Sequence, residues 1–156
     1  MSCGTCVRIR TRDEGVAAPW DAIIRTACWD VVHSYDTSLL GWLVLVPRRH
    51  MEAMDELTAA ESAELAELLR CTTRFLKAEV DCQKTYLMQF TEHPEHPHVH
   101  FHVVPRARGL PAEFRGAGIF HYLGVPDEER ISERAMNALA EKLCEHWQRF
   151  TDGAQS

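Results

Sequence analysis

The stretch HPHVHFHVVPR, residues 96–106, alternates histidine with apolar residues. A period of two is typical of a β-strand, in which successive side chains point to opposite faces. Three histidines are therefore predicted to share one face: His98, His100 and His102. The residues between them are predicted to enter the core: Val99, Phe101 and Val103. Each imidazole carries polar nitrogens that need partners, so three of them on one face indicate a functional site rather than core packing.

This stretch resembles the motif of the histidine-triad (HIT) nucleotide hydrolases and transferases, which is His-x-His-x-His followed by two apolar residues. The pair Val103-Val104, followed by Pro105-Arg106, sets the register so that His100 is the middle histidine. A second block, LVLVPRRH over residues 43–50, is similar to one that these proteins carry. The resemblance spans about residues 3–106.

The order of elements predicts an α+β fold. Short apolar runs of strand length occupy residues 22–26, 29–33, 41–47 and 85–90. Thr58 and Glu61 form a capping box that begins a helix to about Val80, and Ser132 caps a last helix to about Phe150. The resemblance implies a HIT-like antiparallel β-sheet of about five strands, with a long central helix and a C-terminal helix.

The whole chain, residues 1–156, is expected to form one HIT-like domain. Residues 1–106 carry the motifs, and residues 107–156 form a C-terminal extension whose helix covers about 132–150. A charged segment over residues 10–19 predicts a loop, and a short apolar run over 119–123 predicts an edge strand.

The composition is that of an ordinary globular protein, with 46% apolar and 26% charged residues. No apolar run is long enough to span a membrane, and the N-terminus lacks the features of a signal peptide, so we expect a cytoplasmic protein. The net charge of −6 and the lack of a basic run argue against binding to long nucleic acids, although a small nucleotide can bind through local donors. In that compartment the six cysteines do not predict disulfides.

A neutral imidazole on this strand can attack the α-phosphate of a nucleoside phosphate and form a covalent nucleotidyl-histidine. By resemblance, His100 is the nucleophile, and His102 contacts the phosphate and assists the leaving group. In the family, the backbone carbonyl of the first triad histidine, here His98, orients the nucleophile. The resemblance implies a dinucleoside polyphosphate hydrolase, a nucleoside phosphoramidase or a nucleotidyltransferase that acts as a homodimer.

Two other functions stay open. The altered loops around the triad fit a nucleotide-binding module without turnover, although an inactive site has no chemical need for His100. His-x-His on a strand also occurs in metal-dependent hydrolases, but the Glu and Gly pattern of cupin-type metal sites does not follow here.

Cys3 and Cys6 form a Cys-x-x-Cys at the N-terminus. One such pair is typical of half a zinc site or of a redox pair, and its position before any strand favours zinc. A zinc-bearing branch of the family, and the related hexose-1-phosphate uridylyltransferases, imply His50 and His98 as the other two ligands. A closed Cys₂His₂ set implies a structural Zn²⁺ ion, which would tie the N-terminal arm to the triad strand.

The resemblance is weakest in the segments that contact substrates. The residue that holds the ribose in the family falls at Ser34 by spacing, or at Asp36 with a shorter turn. Gln89 resembles a substrate-contacting glutamine of the dinucleoside polyphosphate hydrolases. Glu95 replaces a Ser or Thr that contacts the leaving group, where a carboxylate would repel a polyphosphate. Trp42 stands where the family has a histidine.

Overall fold

A computed structural model of the chain describes residues 3–153, and the first two and last three residues lie outside this range. The described strands form one antiparallel sheet in the order β1-β2-β3-β5-β4. These strands are β1 Ile24–Arg25, β2 Trp29–His33, β3 Leu43–Pro47, β4 Lys84–Met88 and β5 Phe101–Arg106. The predicted α+β fold with an antiparallel sheet of about five strands is confirmed. Strand β5, which carries His102, lies inside the sheet between β3 and β4.

Three α-helices within the described residues accompany the sheet: α1 Gly4–Asp13, α2 Ala59–Glu79 and α3 Glu133–Gly153. The predicted capping box begins α2, since the Glu61 amide donates to Thr58 Oγ1 at 3.2 Å and the Thr58 amide donates to the Glu61 carboxylate at 2.8 Å. The Ala135 amide donates to Ser132 Oγ at 3.2 Å, as expected at the start of the last helix. No helix among residues 3–153 combines the length and apolarity that a bilayer crossing requires.

Both faces of the central strands are packed against apolar side chains. The larger cluster joins the sheet to the two long helices through Trp29, Leu43, Phe75, Val103 and Leu143. The smaller cluster contains Trp42, Val104, Leu110 and Ile119. Burial of one such side chain stabilises the fold by about 1.5–3 kcal/mol. Val103 packs in the larger cluster and Val104 packs in the smaller one. Strand β5 is therefore packed on both faces, which holds the histidines at its start in position.

The loop predicted over residues 10–19 is wrong in its first part, because α1 extends to Asp13. The buried residues of α1 recur at helical spacing: Thr5, Ile9 and Arg12. Arg12 is 4% exposed, and its guanidinium donates to Asp21 Oδ1 at 2.8 Å and to Asp30 Oδ2 at 3.3 Å. A charged residue that indicated a loop therefore forms ion pairs that attach helix α1 to the sheet.

The edge strand predicted over residues 119–123 is also wrong. This segment belongs mainly to a 3₁₀ helix over Gly116–Tyr122. Ile119 is fully buried and packs with Trp42 in the smaller apolar cluster. The segment is apolar because it covers this cluster, and not because it pairs as a strand.

The histidine strand begins later than predicted, at Phe101 rather than His96. At the end of β3, the Pro47 carbonyl accepts a hydrogen bond from the ring of His98 at 2.8 Å. A backbone amide would donate this bond in a regular ladder. The chain before Phe101 therefore leaves the regular ladder, and His98 and His100 lie in the segment that leads into β5.

Candidate functional site

The two ring nitrogens of His100 have different roles. Its Nδ1–H donates to the backbone carbonyl of His98 at 2.8 Å. A carbonyl oxygen only accepts, so this contact places the proton on Nδ1 and leaves the lone pair on Nε2. His100 also lines a cavity of about 420 Å³. The geometry therefore presents a nucleophilic nitrogen at a cavity of the size that small-molecule ligands occupy.

The ring of His102 has the opposite tautomer. The indole N–H of Trp42 donates to His102 Nδ1 at 3.0 Å, so the proton of the neutral ring is on Nε2. Burial, with a smaller effect from the charge of His100, lowers the pKa of His102 to about 4. The His100 and His102 rings lie 4.9 Å apart between centroids. Neutral His102 can therefore donate from Nε2 to an oxygen of a group that His100 contacts.

Sequence reasoning noted Trp42 only as a departure from the family pattern and gave it no role. The side chain is fully buried in the smaller apolar cluster, with its N–H directed at His102. An indole has one N–H donor and no acceptor, so a tryptophan that is buried beside the triad strand needs an acceptor there. This requirement was the sequence signal that could have identified Trp42 as a hydrogen-bond partner of a triad histidine.

Replacement of Trp42 by phenylalanine is expected to raise the pKa of His102 above about 4. The indole N–H bonds only to an unprotonated Nδ1, so its loss removes a contact that favours the neutral ring. Side-chain ¹H–¹⁵N NMR across a pH titration reports both this pKa and the tautomer. Trp147→Phe, which alters an indole packed on the larger cluster, is the matched control. An unchanged His102 titration in Trp42→Phe would show that the indole does not set the state of this ring.

The cavity gathers three of the four predicted substrate residues beside the two histidines: Ser34, Asp36 and Glu95. The Ser34 hydroxyl donates to Asp36 Oδ1 at 2.9 Å, so these side chains form one polar pair. Gln89 is not among the described residues that line the cavity. Its amide instead donates to the hydroxyl of Thr91, which does line the cavity.

Helix α1 closes one side of the cavity, a contribution that the predicted loop did not include. Its lining residues are Thr5, Arg8 and Arg12. The Arg8 guanidinium lies 4.6 Å from the centre of the Tyr35 ring and 3.5 Å from a carboxylate oxygen of Asp21. These three residues are three and four positions apart in the sequence, and this helical spacing could have identified the face of α1 that lines the cavity.

The structure also brings together the four predicted metal ligands: Cys3, Cys6, His50 and His98. His98 Nδ1 lies 3.6 Å from Cys3 Sγ and 3.5 Å from Cys6 Sγ. His50 Nδ1 lies 3.4 Å from Cys6 Sγ. In a tetrahedral zinc site, bonds of about 2.3 Å to sulfur and about 2.0–2.1 Å to nitrogen separate these ligands by about 3.6 Å. These three separations match edges of a tetrahedral metal site, and all four ligand atoms lie within 4.8 Å of one another.

The surroundings of this cluster suit metal ligands. His98 Nε2–H donates to a carbonyl of β3 at 2.8 Å, and His50 Nε2 lies 3.4 Å from the Glu52 carboxylate. Such outer partners fix the tautomer of a metal-binding histidine. Burial and the neighbouring Cys3 raise the pKa of the Cys6 thiol to about 11, so a bound metal ion would displace its proton.

The segment that carries His50 is anchored to the start of α2. Arg49 donates from Nε and Nη2 to the two carboxylate oxygens of Glu61, each at 2.9 Å. This bidentate pair and the amide of Thr58 lower the pKa of Glu61 to about 2. The capping residue of α2 thus also positions the neighbour of a candidate metal ligand.

A HIT domain family model matches residues 21–109, which is more than half of the chain. The match contains the histidine stretch and the block over residues 43–50, but it begins after Cys3 and Cys6. No curated protein sequence matches the chain.

Several solved structures share the fold. A Zn-bound histidine triad family protein from Mycobacterium smegmatis is 20% identical, with 92% of this chain and 96% of that chain covered and a TM-score of 0.62. A hypothetical histidine triad nucleotide-binding protein from Sulfolobus tokodaii is 16% identical, with 92% and 93% covered and a TM-score of 0.67. A histidine triad protein from Bradyrhizobium japonicum is 25% identical, with 78% and 89% covered and a TM-score of 0.60.

Proposed function

Because this chain belongs to the HIT domain family, we propose that it is a nucleotide-processing enzyme whose His100 attacks the α-phosphate of a nucleoside phosphate. The hydrogen bond from His100 Nδ1–H to the His98 carbonyl carries this proposal, because it leaves Nε2 free for attack. The substrate is a dinucleoside polyphosphate, a nucleoside phosphoramidate or the donor of a nucleotidyl transfer.

The reaction proceeds in two displacements. In the first, His100 Nε2 forms a bond to the α-phosphorus, and the bond from phosphorus to the leaving group breaks with its electron pair on that group. His102 Nε2–H donates to the phosphate and assists the departing group. In the second, water or another acceptor attacks the phosphorus, and the bond to His100 breaks. The Ser34 and Asp36 pair, which lines the cavity, would bind the ribose, and the role of Gln89 also stays a prediction.

We further propose that a structural Zn²⁺ ion is bound by Cys3, Cys6, His50 and His98. The fit of the ligand distances to a tetrahedron supports this assignment. When bound, the ion would cross-link helix α1 to the segment before β5. His98 would then be fixed through its ring while its carbonyl orients His100.

Trapping of the adduct tests the proposed reaction. The protein is mixed with dinucleoside polyphosphates and nucleoside phosphoramidates, quenched without acid, and weighed intact by mass spectrometry. We expect a gain of one nucleoside monophosphate that acid removes, since phosphoramidates are acid-labile. Tight nucleotide binding without turnover or adduct would instead support a binding module. Turnover that forms no adduct and that chelation abolishes, with the fold retained, would support a metal-dependent hydrolase.

We propose that the functional form is a homodimer joined through the β4 edge. Strand β4 is at the end of the sheet, and its outer edge pairs with no other strand among residues 3–153. Leu87 and the following Phe90 are 50% and 55% exposed, which is unusual for large apolar side chains. They line a groove of about 690 Å³ between β4 and the second half of α2. A second copy of the strand would satisfy the edge and cover both side chains.

Replacement of Leu87 by aspartate is expected to shift the protein from dimer to monomer, because the edge would bring a carboxylate into an apolar contact. Sedimentation velocity over a range of concentrations measures this shift. Val16→Asp is the matched control, since Val16 is 71% exposed and is not among the residues that line the groove beside β4. A monomeric wild-type protein, or a Leu87→Asp variant that dimerises equally well, would contradict the interface.

A further inference from the structure

A second group of metal-ligating side chains belongs to the lining of the cavity. His93, Glu95 and His96 each offer one ligand atom, and these atoms lie within 4.8 Å of one another. All three residues also line the cavity that contains His100. Two imidazoles and one carboxylate form a common ligand set for divalent transition metals, and such a set leaves coordination positions open.

The charges around the cavity do not suit a phosphate-rich ligand without an added cation. Four carboxylates belong to the described lining: Asp21, Asp36, Glu92 and Glu95. The guanidinium groups in that lining are Arg8 and Arg12, and both already pair with Asp21, at 3.5 Å and 2.8 Å. A polyphosphate entering here therefore meets uncompensated negative charge.

His96 is held by helix α1. The Gly4 amide donates to the Glu95 carbonyl at 2.9 Å, and Thr5 Oγ1 lies 3.0 Å from His96 Nδ1. A Cβ on Gly4 would approach His96 Cε1 to 2.8 Å, so the helix packs directly on the ring. A hydroxyl that accepts from Nδ1–H leaves Nε2 of His96 available as a ligand.

The other two side chains are exposed and adjustable. Glu95 lies next to His96 in sequence, and the Glu95 amide donates to His93 Nδ1 at 3.2 Å. Coordination through His93 replaces this one long hydrogen bond, which an exposed ring can release at little cost. The loop therefore has one fixed ligand and two that can close around an ion.

We propose that His93, Glu95 and His96 bind a divalent transition-metal ion that receives the phosphate groups of the substrate. This inference rests on the proposed function, because it takes the cavity ligand to be a nucleoside phosphate. It also explains Glu95: alone, its carboxylate repels a polyphosphate, whereas bound to a cation it becomes part of the phosphate-binding surface. His100 remains the nucleophile, and the ion acts on binding and orientation.

Co²⁺ titration of zinc-loaded protein tests the site. Zinc is first added to one equivalent, so that the cysteine-containing cluster is filled, and Co²⁺ is then added while the visible spectrum is recorded. We expect one further ion to bind with weak d–d absorption and without the thiolate charge-transfer band of a cysteine ligand. His93→Ala and His96→Ala should each weaken Co²⁺ binding by about tenfold or more. His121→Ala removes a histidine outside both clusters and should have no effect.

Binding of a nucleoside diphosphate gives the second measurement. Co²⁺ should tighten binding by about tenfold or more in the wild type, and this gain should disappear in His93→Ala. Absence of a second ion in the wild type, or equal binding by His93→Ala and His96→Ala, would overturn the proposal. A preference for substrates with a cationic amine leaving group, unaffected by Co²⁺, would also overturn it. Failure of the adduct experiment alone would count against the proposed reaction but leave the cobalt result standing.

Discussion

Replacement of His100 by alanine is expected to lower kcat/KM by about 10⁴-fold or more and to abolish the nucleotidyl adduct. The variant loses the imidazole whose Nε2 is freed by the bond from Nδ1–H to the His98 carbonyl. Water would then have to attack the phosphorus directly, without a nucleophile held in place. Steady-state kinetics and intact mass spectrometry measure the two effects. Nucleotide binding should change little, because the other side chains of the cavity remain.

The comparison with His121→Ala separates loss of chemistry from loss of fold. His121 stacks on Phe114 at 4.1 Å between ring centroids and lies outside the cavity lining, so activity should persist in that variant. Melting temperatures of both variants should stay close to that of the wild type. If His100→Ala still formed the adduct, another residue would be the nucleophile and the proposed mechanism would be wrong.

Replacement of Cys3 and Cys6 by serine is expected to remove the zinc ion and lower the free energy of unfolding by about 3 kcal/mol or more. The proposed ion would join ligands far apart in the chain, from residue 3 to residue 98, and its binding free energy would contribute to folding. For a chain of this size, the melting temperature should fall by roughly 6–12 °C. Metal analysis gives the zinc content, and thermal melts with and without a chelator give the stability.

Cys144→Ser is the control for this variant, because Cys144 is a partly exposed free cysteine on α3, outside the metal-ligand cluster. It should keep one zinc ion per chain and melt like the wild type. Turnover in the Cys3 and Cys6 variant should also fall, since His98 supplies the carbonyl that orients His100. Full zinc content in the double variant, or a chelator without effect on the wild-type melt, would contradict the assignment.

Periodicity in the sequence predicted most of the sheet and both long helices. The run predicted over residues 29–33 coincides with β2, and the run over 41–47 contains β3. The capping residues Thr58 and Ser132 mark the helix starts. These signals are local, since a strand period or a capping hydrogen bond involves residues a few positions apart. Helix α1 was missed because its charged residues resemble a loop, and their buried partners, Asp21 and Asp30, are distant in sequence.

The histidine motif and the Cys-x-x-Cys, together with the resemblance to the HIT family, were sufficient to name the candidate nucleophile and the four candidate metal ligands. The order of residues alone does not reveal proton positions or local charge, because these depend on groups brought near by folding. The indole of Trp42 assigns the tautomer of His102 across 60 positions of sequence, and helix α1 brings Arg8 to the cavity. The acidic lining of the cavity likewise exists only in three dimensions, because folding brings Asp21 and Asp36 near Glu95 and electrostatic interaction depends on distance in space.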